Sequence, residues 1–214
     1  MKIFLASGHG GSDPGSIANG TNERDEVERI IAIAVPVLSL GLLHHAEIVH
    51  VPNEFAIEQT IKYINYHSHQ PIVDICIEIH LNSNVGSPGT GTETFYGSKS
   101  LADRINKSVV SVLGLRDRGV KNGNHLWFNN STNPASCLVE LGFINNPTDL
   151  KIIQDKGASA IIKAISNFVG VNLEQPQIPD PPKSEQKSLE KALVHTRIRE
   201  IRNILDDISN LIGS

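Results

Sequence analysis

The sequence predicts an α/β fold: a mostly parallel twisted sheet flanked by helices on both faces, plus a C-terminal helix after a Pro-rich linker. Two observations predict the sheet and its helices. Short β-branched runs alternate with stretches whose apolar residues recur at helical spacing, the pattern of a parallel sheet with helical crossovers. Residues 135–143, Ala-Ser-Cys-Leu-Val-Glu-Leu-Gly-Phe, are apolar almost throughout, as expected of a strand covered on both faces. A third observation predicts the tail: residues 173–187 hold four prolines and almost nothing to bury, and an amphipathic stretch follows.

Taken in order, residues 2–7 form a first strand, and Gly8-His9-Gly10-Gly11 follows at once. The glycines up to Gly15 signal positive φ angles or close backbone approach to something bound. A phosphate-binding loop is disfavoured, because there is no GxGxxG and no Gly-Lys-Ser/Thr. A helix runs from Glu23-Arg24-Asp25 to about Leu40. Asn22 can cap it, acidic residues suit its first turn, and Val27, Ile30, Ile31, Ala34, Val37 and Leu38 face inward. Pro36 lies inside this helical pattern.

Residues 46–51 read as a second strand, and Glu54 to about His67 as a helix with Phe55, Ile57, Ile61 and Ile64 inward. The strand at 72–79 then delivers His80 to a polar Gly/Ser/Pro loop that lasts to Gly91. Residues 92–96 form another strand and Lys99 to Leu113 a helix; Leu126-Trp127-Phe128 is a short strand or a loop anchor. After the strand at 135–143, helices begin at Asn145-Asn146-Pro147 and run to about Val169. This arrangement puts His9 and His80 on one sheet edge, where open α/β folds bind ligands, with Glu140 nearby.

Size and composition narrow the function classes. At 214 residues the chain suits one medium domain, residues 1–172, with an appendage. A formal charge of −4 argues against a nucleic-acid binder. The two cysteines, Cys76 and Cys137, each lie in an apolar run and make no disulfide framework. No stretch approaches the length of a transmembrane helix, and the N-terminal run is too short for a secretory signal. The expectation is synthesis in the cytoplasm, with release by other means.

Beyond the linker at 173–187, residues 188–214 read as an amphipathic helix. Val194, Ile198, Ile201, Leu205, Ile208 and Ile212 form an a/d seam. A lone helix of this length is marginal in water, so the seam needs a partner. Self-association through residues 194–212 is the expectation. The alternatives are contact of Arg197, Arg199 and Arg202 with an anionic polymer or membrane, and docking on the chain's own first domain.

The candidate chemistry rests on a small donor set. Two imidazoles and a carboxylate give Zn²⁺ three protein ligands and leave a position open, the arrangement of a catalytic rather than a structural site. Such a metal activates water and polarises a carbonyl, while a further carboxylate moves the proton. His9, one early glutamate, His80 and Glu140 supply the set. Glu23, Asp25, Glu26 and Glu28 are equivalent candidates from composition, and each is also an ordinary solvated charge in a first helical turn. Glu140 is conspicuous because a carboxylate in an apolar strand is costly unless it is paired or functional.

Four segments carry a family resemblance: Ser7 to Gly15, Asn19 to Asp25, Glu78 to Ser83, and Arg118-Gly119-Val120-Lys121 continuing through Asn133-Pro134-Ala135 to Asn146. In that order they resemble the zinc-dependent N-acetylmuramoyl-L-alanine amidases of bacterial peptidoglycan, phage endolysins included, over roughly residues 1–170. The resemblance implies that His9, Glu23 and His80 ligate Zn²⁺ and that Glu140 is the catalytic carboxylate. It implies hydrolysis of the amide between the lactyl group of N-acetylmuramic acid and L-alanine of the stem peptide, with peptidoglycan as partner and the cell wall as place of action. A zinc peptidase cutting within the stem and an inactive wall-binding protein on the same fold are the competing readings. Glu78 departs from the pattern, since many relatives have a small residue there; it either supports His80 or is an exposed strand residue. The loop at 81–91 leaves no room for an inhibitory helical insertion.

Overall fold

The computed structural model describes residues 1–86 and 88–173. The expected linker and C-terminal helix, with their seam at 194–212, lie outside the described residues. The elements run β1 (Lys2–Ser7), β2 (Ile17–Ala18), β3 (Thr21–Asn22), α1 (Glu23–Gly41), β4 (Glu47–His50), α2 (Ile57–His67) and β5 (Ile75–Asn82). They continue with β6 (Thr92–Tyr96), α3 (Lys99–Leu113), β7 (Asp117–Asn122), α4 (Trp127–Ser131), β8 (Ala135–Phe143) and α5 (Pro147–Val169).

Six strands make one sheet in the order β4-β1-β5-β8-β6-β7. β4, β1, β5 and β8 are mutually parallel; β6 joins β8 antiparallel and β7 follows β6 in parallel. Alternation along the strands sorts their side chains onto two faces. Ile3, Leu5, Ile75, Ile77, Ile79, Val139 and Leu141 join the main core, which is completed by apolar residues of α1, α3 and α5. Phe4, Ala6 and Cys76 point the other way, into a smaller core with Ile64 of α2 and Phe128 of α4. Each fully buried side chain of this size contributes about 1.5–3 kcal/mol, so the larger core dominates the stability of the fold.

Several elements differ from the sequence expectation. β5 starts at Ile75 and not at residue 72, because Ile72 and Val73 stand in an exposed turn where the Val73 and Asp74 N–H groups both donate to Gln70 O. It also continues past His80 to Asn82, with a register shift between His80 and Asn82. α2 starts at Ile57, since Gln59 Oε1 accepts from the Ala56 N–H and ends the helix there; Phe55 packs against the smaller core from the preceding loop. Residues 127–131 are the short helix α4, not a strand. β7 and the β2–β3 hairpin were not expected, because Asp-Arg-Gly-Val-Lys-Asn and the two-residue pairs carry no apolar alternation. α1 runs unbroken past Pro36 to Gly41.

Candidate metal centre

β1 and β5 are neighbours, with Ser7 opposite Ile79, so the residues just after them meet at one edge. His9 comes from the loop after β1 and His80 from near the end of β5, and their ring centroids lie 5.1 Å apart. Glu23 is the first residue of α1. The Asn22 side chain caps that helix by accepting from the Asp25 N–H, which aims the first turn at the same edge. One ligand atom each from His9, Glu23 and His80 fall within 4.8 Å of one another.

Glu23 is 3% exposed, so its carboxylate must be paired. Oε1 accepts from His80 Nδ1 and from the Leu81 N–H, each at 2.9 Å. Oε2 accepts from the Ser16 N–H at 3.2 Å and lies 3.3 Å from His9 Nε2. Burial alone would raise this carboxyl, but the two imidazoles hold it far below the usual carboxylate range. His80 answers in kind: burial would lower it, yet Glu23 and Glu78 raise it well above a normal imidazole. His9 is raised too, chiefly by its contact with Glu23. Two imidazoles and one carboxylate in this arrangement form a donor set that could hold a divalent cation.

The outer nitrogens are held as well. Asp13 Oδ2 accepts from His9 Nδ1 at 2.8 Å, and Asp13 Oδ1 accepts from the Gly15 N–H, which fixes the loop. Glu78 Oε2 lies 3.3 Å from His80 Nε2 and the residue is 2% exposed, so the exposed-strand alternative for Glu78 fails. Two glycines make room for the rings. A Cβ on Gly8 would come within 1.9 Å of His80 Nε2, and one on Gly15 within 2.6 Å of the His9 ring.

Glu140 is the register partner of His80 across β5 and β8, on the same sheet face and one strand spacing away, about 4.8 Å. Burial pushes its carboxyl up to about 7. Its Oε2 is buried and has no hydrogen-bond partner among the described residues. Asp25 is exposed, and Glu26 turns to Gln154 and Arg29, so neither joins the cluster. Cys76 and Cys137 are buried and free, Cys76 raised to about 12 by desolvation, and neither bears on the site.

Asp13 carried no role in the sequence reading, and the glycines were read there only as positive-φ or close-approach positions, which the room they leave for the two rings bears out. The spacing of His9 and Asp13 across a Gly-rich turn was the available signal.

The family model for N-acetylmuramoyl-L-alanine amidase matches residues 3–170. Among curated proteins, YqiI of Bacillus subtilis is 31% identical over 183 residues, 78% of this chain and 84% of that protein. The N-acetylmuramoyl-L-alanine amidase LytC of the same organism is 33% identical over 180 residues, 74% of this chain but only 34% of LytC. Among solved structures, an N-acetylmuramoyl-L-alanine amidase from Clostridium difficile 630 superimposes with a TM-score of 0.69 at 28% identity, covering 78% of this chain and 96% of that one. The chain thus belongs to the N-acetylmuramoyl-L-alanine amidase family, and it is by that membership a hydrolase of cell-wall peptidoglycan.

Proposed function

We propose that this chain is a zinc-dependent amidase that cleaves between N-acetylmuramic acid and the L-alanine of the stem peptide, with His9, Glu23 and His80 holding Zn²⁺ and Glu140 moving the proton. The observation that carries this reading is the convergence of three donor groups within 4.8 Å beside a buried, unpartnered carboxylate oxygen on the next strand. The donor chemistry fits: two nitrogens and one carboxylate suit Zn²⁺ and leave a position open. When bound, the ion supplies Lewis acidity and makes water a competent nucleophile near neutral pH.

The protein's own groups do the rest. Asp13 and Glu78 each sit at the outer nitrogen of an imidazole, which fixes ring orientation and sets which nitrogen faces Glu23. The Leu81 and Ser16 N–H groups hold the Glu23 carboxylate from behind. Glu140 takes a proton from the attacking water and returns it to the departing amine nitrogen of L-alanine. A carboxyl near 7 suits both halves of that exchange, since it ionises readily and gives the proton back readily.

The test is metal analysis together with mass spectrometry of digested peptidoglycan. The expected result is one zinc per chain and new free L-alanine amino termini on intact stems. Cuts within the stem would assign a peptidase, and full lysis by metal-free protein would remove zinc from the mechanism.

A further inference from the structure

The sheet face that bears His80 and Glu140 continues across β6 and β7, and there it changes sign. Glu93 of β6 is the register partner of Glu140 and is 3% exposed. Its Oε1 accepts from Asn82 Nδ2 at 2.9 Å; its Oε2 accepts from Arg118 Nε at 2.8 Å and from Lys121 Nζ. One buried carboxylate against two cations leaves a net positive charge at the surface.

Arg118 is held along its stem and through Nε. Its guanidinium lies 5.0 Å from the Phe143 ring centre, and its stem crosses Gly91, where a Cβ would approach Arg118 Cδ to 3.1 Å. It belongs to the irregular stretch where the β6–β7 register shifts, the kind of bulge that re-aims a side chain. Only Nε is engaged; among the described residues its Nη groups have no protein acceptor, and the side chain is 28% exposed. Lys121 is 42% exposed. A fixed guanidinium fork with free donors beside an ammonium is built to take an oxyanion.

We infer that Arg118 and Lys121, seated on Glu93, form an anion subsite beside the candidate metal centre that takes a carboxylate on the peptide side of the scissile amide. This rests on the amidase reading. The dimensions agree. Glu93 is two strand spacings from His80, about 10 Å, and two extended residues span about 7 Å, which the cationic side chains extend. The residue after L-alanine therefore reaches the pair. If that residue offers a free carboxylate, it is favoured over the same residue with the carboxylate amidated.

The experiment uses zinc-loaded full-length protein and two synthetic muramoyl tetrapeptides with blocked C-termini, differing only in whether the second residue carries a free or an amidated carboxylate. The wild type should cut the free acid about tenfold better in kcat/KM, mainly through KM, the usual size of a partly hydrated charge-assisted contact. Arg118→Gln and Lys121→Gln should bring the two substrates toward parity by raising KM for the free acid alone. Glu93→Gln removes the counter-charge and should widen the preference. Equal cleavage of both substrates by the wild type overturns the subsite without touching the amidase reading, and so does an equal loss on both substrates in the variants. Cleavage of neither by zinc-loaded wild type overturns the amidase reading, and the subsite falls with it.

Discussion

Gly8→Ala is the most demanding perturbation, because the site's geometry leaves it no neutral outcome. The added Cβ would sit 1.9 Å from His80 Nε2, 2.0 Å from Cε1 and 2.4 Å from Cδ2. Ordinary contact is about 3.5 Å, so the ring or the strand must yield by about 1.5 Å. The strand resists, since the Gly8 N–H donates to Ile79 O at 3.0 Å within the β1–β5 pairing. His80 is the softer partner: its side chain is 15% exposed and it can swing outward, away from Glu23 and Glu78. Zinc sites tolerate ligand displacements of only about 0.2 Å, so the swing removes a ligand. Zinc affinity should fall by at least about 100-fold, more than loss of an outer-shell contact gives. Thermal stability without metal should fall only by the overpacking cost of about 1–3 kcal/mol. Isothermal titration of the metal-free protein with zinc reads the first quantity and melts in chelator the second. Gly157→Ala is the control. Its Cβ would press Ile30 Cδ1 at 2.8 Å, far from the site, and should cost stability without changing zinc affinity. Wild-type zinc affinity in folded Gly8→Ala would refute the reasoning.

Glu140→Gln should lower kcat by about 10²- to 10⁴-fold and leave zinc affinity nearly unchanged; loss of zinc together with activity would make Glu140 a ligand instead. Asp13→Asn should weaken zinc binding by about 10–100-fold, because His9 Nδ1 loses its charged acceptor; titration calorimetry checks it. Raised imidazoles must give up protons to bind metal, so apparent zinc affinity should rise with pH and binding should release protons. Titrations in buffers of different ionisation enthalpy count them, and a count of zero contradicts the arrangement. Glu140 must be ionised to accept a proton, so kcat/KM should rise with pH to a plateau. A neighbouring cation only favours the carboxylate, so the midpoint should lie at or below about 7, and a midpoint clearly above it contradicts the role.

How far the sequence could be read followed from where the physics is local. The apolar run Ile3-Phe4-Leu5 and the helical spacing from Val27 to Leu38 are set by burial along one element, and those elements are where the pattern places them. β7 has no such pattern, because it is an edge strand: Arg118 and Lys121 serve Glu93, and Val120, its one apolar side chain, packs against the core. The overextended start of β5 has the opposite cause: Ile72 and Val73 look like strand residues but spend their apolar surface on solvent. At the site, His80 and Glu140 were legible as polar residues in apolar strands. The choice of Glu23 over Glu26 came from the family resemblance alone. Both residues are buried, and only the turn of α1 sends one to the histidines and the other to Gln154 and Arg29. Gly8 and Gly15 were legible as close-approach positions, but what approaches them was not, for the same reason. A glycine's role is the space it leaves, and the ring that fills the space at Gly8 comes from a residue 72 positions later in the chain. Long-range voids of this kind tie the metal ligands to the β1–β5 pairing itself, so any change that loosens that pairing should reach the site before it reaches the core.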